Sequence, residues 1–158
     1  MNSLTTLSTG AELKHSLKQW LKLRQELIIQ FNTLCQLRPF LNSKDTSYLE
    51  GSLITFCQLL LDYMSMGHFQ MFEKLLANIE NVSTMREIQA SHFEALKTTT
   101  LNALNFSDSY STHFKADTLE RDLSQLGEEL ALRFDLEDDL IRLYPKRPQM
   151  SALKQTGS

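Results

Sequence analysis

This sequence is poor in the residues that interrupt helices. Its 158 residues include only 3 prolines and 5 glycines, the two residue types that most disfavour a helix interior. Long stretches without either one favour an all-α fold over a sheet. The 2 cysteines, Cys35 and Cys57, stand apart among apolar neighbours. They form no CxxC motif, and we expect both to be reduced thiols packed in the core.

Other absences restrict the class of protein. No apolar run approaches the roughly 20 residues that a membrane-spanning helix needs. The first ten residues contain neither a basic segment nor an apolar one, so we expect no secretion signal. The net charge is −3, and an acidic chain is a poor candidate for binding nucleic acid. The composition predicts a cytoplasmic protein without direct contact to membrane or nucleic acid, and we expect it to be a monomer.

Apolar residues recur at steps of three and four along five segments of the chain. This spacing predicts helices over about 12–37, 48–66, 68–79, 84–104 and 117–144, with Gly67 breaking or kinking the chain between the second and the third. Residues 106–116 are predicted to be a polar connection. Long helices joined by short loops predict one elongated up-and-down bundle of about five main helices over residues 1–144. Residues 145–158 contain two prolines and are predicted to be a flexible tail.

The motifs of common catalytic and metal sites are missing. The chain has no GxSxG, no P-loop and no glycine-rich turn, which argues against an enzyme. A di-iron bundle needs two Glu-x-x-His pairs, and only Glu12-Leu-Lys-His15 fits that spacing, at the start of a helix. We therefore expect no catalytic residue, no metal site and no cofactor.

Three polar residues fall on or near apolar faces of the predicted helices: Arg24, Asp62 and His68. Arg24 lies on the apolar stripe of the first helix, where a guanidinium group usually pairs with a carboxylate of a neighbouring helix. Asp62 lies in a nearly all-apolar run, where an unpaired charge is costly. Either these residues form a buried network, or they line a groove that receives another protein. The alternative, from a different functional class, is a helical sensor in which these three residues form a pocket for a small ligand or a metal.

The last predicted helix is strongly acidic. Between Asp117 and Arg142 there are nine acids and three bases, a local charge of −6. Such a run can be a solvated face with pairs such as Arg133 with Glu137 along the helix. It is also a surface that could steer a basic protein partner.

Three blocks of the sequence resemble the Rsd/AlgQ family of bacterial anti-sigma factors. The first is Trp20-Leu21-x-x-Arg24. The second is Phe56-Cys57-Gln58, Asp62-Tyr63-x-Ser65-x-Gly67-His68-Phe69 and Phe72-Glu73-Lys74. The third is Leu126-Gly127-Glu128, Leu130 and Arg133-Phe134-x-Leu136-Glu137-Asp138-x-Leu140-Ile141.

The resemblance implies a non-enzymatic regulator that binds the housekeeping sigma factor of bacterial RNA polymerase. Members of the family bind the C-terminal region of that sigma factor, which reads the −35 promoter element, and keep it from the core enzyme. The resemblance implies partner-binding residues within the first two blocks: Trp20, Arg24, Asp62, His68, Phe69 and Glu73. That sigma region is basic because it contacts DNA, which agrees with the acidic last helix.

Overall fold

A computed structural model describes the backbone of residues 2–143 and the side chains of residues 10–143. Within this range every regular element is helical, as the sequence predicted. The elements are α1 (Asn2–Gln36), a 3-10 turn (Arg38–Asn42), α2 (Ser47–Met66), a π-helical turn (Gly67–Met71), α3 (Phe72–Ala77), α4 (Val82–Tyr110) and α5 (Ala116–Arg142). The predicted boundary of the domain at residue 144 and the tail 145–158 lie outside the described residues.

The helices form a four-helix bundle in which α1 packs on α2, α2 on α4, and α4 on α5. Neighbouring helices run in opposite directions. On α1 and α2, Arg24 bonds to Tyr63, while Gln30, further along α1, bonds to Ser52, earlier on α2. The predicted all-α bundle is confirmed. α1 begins at Asn2, well before the predicted start at Glu12. At 1.5 Å per residue it is about 50 Å long.

The chain does not break at Gly67, so the third helix predicted over 68–79 is not a separate one. Gly67 has helical dihedrals, φ −62° and ψ −55°, and the chain continues through the π-helical turn directly into α3. A π-helical turn inserts an extra residue into a helix without ending it. Residues 47–77 therefore form one helical run, which we call the α2–α3 run.

Two other boundaries differ from the prediction. The side chain of Asn81 accepts hydrogen bonds from the backbone of Ser83 and Thr84, so Asn81 caps α4, which begins at Val82, before the predicted start at residue 84. The predicted polar connection 106–116 is wrong for its first half, because α4 continues to Tyr110. Phe106 and Tyr110 are buried there, and the gain from burying them outweighs the polar residues between them.

The core follows regular heptad-like stripes on each helix. On α5 the buried positions fall at steps of four and three: Leu119, Leu123, Leu126, Leu130, Arg133, Glu137 and Leu140. This period is that of helices packed side by side in a bundle. Large apolar side chains from α1, the α2–α3 run and α5 meet in the core and are buried, namely Trp20, Leu27, Phe56, Leu60, Phe72, Leu126 and Leu130. Phe134 is half-buried and packs against this core.

Candidate functional site

A layer of charged and hydroxyl side chains crosses the apolar core of the bundle. It contains Arg24 of α1, Tyr63 of α2, and Arg133 and Glu137 of α5. Arg133 and Glu137 have a relative exposure of 0%, and Arg133 Nε lies 2.8 Å from Glu137 Oε2. Two opposite charges in one dry layer compensate each other, and removing either would leave the other unpaired. We call these four residues the polar layer.

Arg24 binds both of the other helices that meet in this layer. Its Nε donates to the hydroxyl of Tyr63 at 3.0 Å. Its two terminal nitrogens donate to Glu137 at 2.9 Å and to Asp138 at 2.7 Å. Burial alone lowers the pKa of Arg24, but these three contacts outweigh it and raise the pKa well above its ordinary value. The predicted pairing of Arg24 with a carboxylate of a neighbouring helix is confirmed.

Three donors meet on the carboxylate of Glu137: Tyr63, Arg24 and Arg133. Burial raises the pKa of Glu137, while the two guanidinium groups and the Tyr63 hydroxyl act in the opposite direction. Burial, followed by the charge of Glu137, raises the pKa of Tyr63 far above its usual range. The Tyr63 hydroxyl therefore stays protonated and donates a hydrogen bond to Glu137.

The Arg133 guanidinium is also held by α4. Its Nη1 donates to the hydroxyls of Thr100 at 2.6 Å and Thr99 at 3.0 Å. The same nitrogen reaches the carbonyl oxygen of Leu96 at 3.2 Å. Arg133 thus links α4 to α5 through the centre of the bundle.

Trp20 of α1 packs against one side of the polar layer. Its ring stacks on Tyr63 with 5.4 Å between ring centres and 13° between planes. Its indole N–H donates to the carbonyl oxygen of Tyr63 at 3.4 Å. Trp20 has a relative exposure of 0%, so in this conformation it lies beneath the surface and is not available for direct contact with a partner.

The π-helical turn lies directly over Trp20 and Arg133. A Cβ built on Gly67 would lie 3.0 Å from Cζ2 of Trp20 and 3.2 Å from Nη2 of Arg133, so any larger residue would require these side chains to shift by a few tenths of an ångström. The turn places Phe69 on the surface, where 75% of the residue is exposed. The half-buried His68 ring packs edge-on against Phe69, with 4.9 Å between ring centres.

Asp62 is exposed, so it is not part of a buried network, which was one of the two alternatives that its apolar run left open. The buried positions of α2 are Leu49, Leu53, Phe56, Cys57, Leu60, Tyr63 and Met64, and Asp62 falls outside that stripe. The apolar neighbour Leu61, which made the run look central, is itself 36% exposed. Burial on this helix follows angular position instead of the polarity of adjacent residues.

Four of the predicted partner-binding residues lie on the α2–α3 run: Asp62, His68, Phe69 and Glu73. Asp62, Phe69 and Glu73 are exposed. They are separated by seven and four residues along this run, with the π-helical turn between Asp62 and Glu73. We call these four residues the α2–α3 face. The remaining two are on α1: Arg24 belongs to the polar layer, and Trp20 packs beside it on Tyr63.

Arg24, Asp62 and His68 do not form the shared pocket that a small-ligand sensor would need. Arg24 is occupied by Tyr63, Glu137 and Asp138, whereas Asp62 faces outward. Neither of two cavities of about 240 Å³ each is lined by any of these three residues. Among the described residues, no group of three or more His, Cys, Asp or Glu side chains is arranged to hold a metal ion.

The acidic surface of α5 is smaller than the sequence suggests. Glu137 is buried, Asp138 is bound to Arg24, and Asp139 is bound to His92 at 2.7 Å and to Arg142. Four exposed acids of α5 lie outside these ion pairs: Asp117, Glu120, Glu128 and Asp135. The predicted pair of Arg133 with Glu137 is confirmed, but it is buried and contributes nothing to the surface.

Sequence reasoning missed the burial of Arg133 and Glu137. The signal was available, because both occupy heptad positions between Leu126, Leu130 and Leu140. Two opposite charges at such positions, four residues apart, indicate a buried pair. Their charge alone led to their assignment to the solvent face.

The fold and the site together define an all-helical bundle protein with an exposed aromatic face above a buried ionic layer. The sequence model of the family described as "Regulator of RNA polymerase sigma(70) subunit, Rsd/AlgQ" matches residues 3–144. The chain belongs to this family, as its three sequence blocks predicted.

Curated relatives agree with this assignment. "Regulator of sigma D" of Yersinia enterocolitica is 33% identical over 148 residues, which cover 90% of this chain and 86% of that protein. "Regulator of sigma D" of Pectobacterium carotovorum is 34% identical over 131 residues, covering 79% of this chain and 84% of that protein. No solved structure matches the chain. Between residues 2 and 143, none of the helices combines the length and the apolar character of a bilayer span.

Proposed function

We propose that this protein binds the C-terminal region of the housekeeping sigma factor, which reads the −35 promoter element, and keeps it from core RNA polymerase. It acts in the cytoplasm as a monomer and without catalysis, and the α2–α3 face is its contact surface. The exposed Phe69, together with membership of the family, carries this proposal. The sigma regulators among the relatives provide the class of partner.

An exposed aromatic residue on a rigid helix suits the centre of a protein interface. Phe69 exposes 75% of its surface, and its ring makes an edge-on contact with the adjacent His68 ring. Aromatic residues that fill a pocket of the partner supply much of the binding energy in many interfaces. Phe69 on the α2–α3 face is therefore the expected anchor.

Charge supports a basic partner. Asp62 and Glu73 flank Phe69 along the α2–α3 run, and both are exposed. The exposed acids of α5 add a negative field elsewhere on the surface. A region that reads DNA carries positive charge to contact phosphates, so its attraction to this protein favours both encounter and orientation.

Calorimetric titration with the isolated C-terminal domain of the cognate sigma factor tests the proposal. Wild-type protein should bind it, and Phe69→Ala should weaken binding by roughly 30-fold, as for an aromatic residue central to an interface. Asp62→Lys should weaken it as well, without a change in melting temperature, because Asp62 is exposed. Absence of binding by the wild-type protein would refute the proposed function.

Tyr48→Ala is the matched control. Tyr48 is also an exposed aromatic, with 71% of its surface accessible, at the other end of α2. Its removal should leave the affinity for the sigma domain within about twofold of wild type. Equal losses for Tyr48→Ala and Phe69→Ala would mean that the α2–α3 face is not the specific contact surface.

A further inference from the structure

Arg133 is buried, yet one edge of its guanidinium group faces the π-helical turn that carries Phe69. Its Nη2 atom has no hydrogen-bond partner among the described residues. The closest approach on this side is Gly67, where a Cβ would lie 3.2 Å from Nη2. The guanidinium carbon also lies 5.2 Å from the ring centre of Phe72. Arg133 thus contacts the first residue of the turn and the residue that follows it.

The other edges of the guanidinium group are fixed. Nε is bound to Glu137, and Nη1 has three acceptors on α4, at Leu96, Thr99 and Thr100. With these bonds in place the group cannot swing away from the turn. A buried donor without an acceptor costs free energy, so its retention beside Gly67 calls for a compensating contact. The cation–π contact with Phe72 is one such contact.

A π-helical turn changes the direction of the side chains within and after it. It holds more residues per turn than an α-helix, and such turns occur often at functional sites. If residues 67–71 relaxed to an α-helix, Phe69 would rotate about the helix axis relative to Asp62. The geometry of the α2–α3 face thus depends on the turn.

We propose that Gly67 and Arg133 are positioning residues, which keep residues 67–71 in the π-helical conformation. They thereby set the direction in which the side chains of His68 and Phe69 project from the bundle surface. This inference rests on the proposed function of the α2–α3 face. Gly67 allows the close approach, and Arg133 supplies a fixed guanidinium edge beside the turn. Neither residue touches the partner.

A double-mutant cycle on sigma binding tests this assignment. Gly67→Ala adds a methyl group against the Trp20 ring, and Arg133→Lys keeps the charge but loses the planar fork. Each should weaken binding of the isolated sigma domain by about tenfold, because Phe69 would no longer point in the direction that the partner requires. In a Phe69→Ala background, each should weaken binding by less than about twofold, because the side chain being positioned is already absent.

Gly51→Ala is the matched control. Gly51 lies in the same α2–α3 run as Gly67, but a Cβ built on Gly51 meets nothing within 4 Å. It should leave binding unchanged, and alanine should favour the helix. Far-UV circular dichroism and Trp20 emission check that every variant is folded at the assay temperature. Where Gly67→Ala does not fold, Arg133→Lys carries the cycle.

The outcomes separate this inference from the proposed function. Equal losses with and without Phe69 would show that the pair only stabilises the fold, and would overturn the inference while sigma binding stands. Wild-type affinity in both variants would overturn it in the same way, as would failure of both to fold. A wild-type protein that does not bind the sigma domain would remove the proposed function and this inference together.

Discussion

Replacing Glu137 by Gln should destabilise the bundle strongly, although the two side chains have nearly the same shape. Both carboxylate oxygens of Glu137 accept hydrogen bonds from donors: Oε1 from Tyr63 and Arg24, and Oε2 from Arg133. In Gln one of these oxygens becomes an NH₂ group, which is itself a donor. Whichever way the amide is turned, it faces at least one N–H or O–H group without an acceptor.

The expected cost follows from burial. Arg133 and Glu137 have a relative exposure of 0%, so water cannot replace the lost bond. Removing one partner of a buried ion pair costs about 3–5 kcal/mol because the other charge stays uncompensated. For a chain of this size, that corresponds to a fall in melting temperature on the order of 10 °C.

Asp138→Asn is the control for this prediction. Asp138 binds the same guanidinium group of Arg24 at 2.7 Å, but 53% of its side chain is exposed, so its loss should cost only about 0–1 kcal/mol. Urea unfolding followed by the emission of Trp20, the single tryptophan, measures both variants. A loss below about 1 kcal/mol for Glu137→Gln would refute the assignment of a buried ionised pair.

Three further outcomes are expected. Leu60→Ala, at a position with 0% exposure, should lower the free energy of unfolding in urea by about 2–5 kcal/mol. Its control, Leu132→Ala, at 51% exposure, should change this free energy by less than about 0.5 kcal/mol, and similar values for the two variants would contradict the packing. In stopped-flow mixing with the sigma domain, the association rate should fall as salt rises, because exposed charges are screened over about 8 Å at physiological ionic strength. Glu128→Lys with Asp135→Lys should flatten this dependence, and a rate indifferent to salt in the wild type would exclude steering. Burial raises the pKa of Cys57 to about 11, against a smaller opposing effect of Ser107, so its thiolate forms only as the pH approaches that value. Because Cys35 is half-buried, the test uses a Cys35→Ser variant, in which Ellman's reagent at pH 8 should modify Cys57 only after unfolding. Rapid labelling of that variant in the folded state would contradict the burial of Cys57.

The fold could be predicted from the sequence because its physical signals are local. The scarcity of proline and glycine and the apolar spacing along each segment define helices before any tertiary contact is known. The ends of the helices could be predicted less well from the sequence. Asn81 and Thr84 are both good capping residues, and only the tertiary structure decides between them.

The candidate site was only partly predictable. Arg24 was correctly placed in an ion pair because its position on an apolar stripe demands a partner. For Asp62 the sequence left a buried network and a partner groove as alternatives, because the polarity of its neighbours does not give its angle on the helix. The π-helical turn at Gly67 could not be foreseen, since it packs against Trp20 and Arg133, which are distant in sequence and approach it only in the folded bundle.

The polar layer also determines how the four helices can be aligned along their length. An apolar heptad pattern repeats every seven residues, so sliding one helix by a heptad, about 10 Å, would still match leucine with leucine. It would, however, separate Glu137 on α5 from Arg24 on α1 and from Tyr63 on α2, and it would take Arg133 away from the threonines of α4. Each misaligned arrangement would leave a charge buried without a partner, at a cost of several kcal/mol. The charged layer therefore selects a single register in a bundle whose leucines alone would permit several.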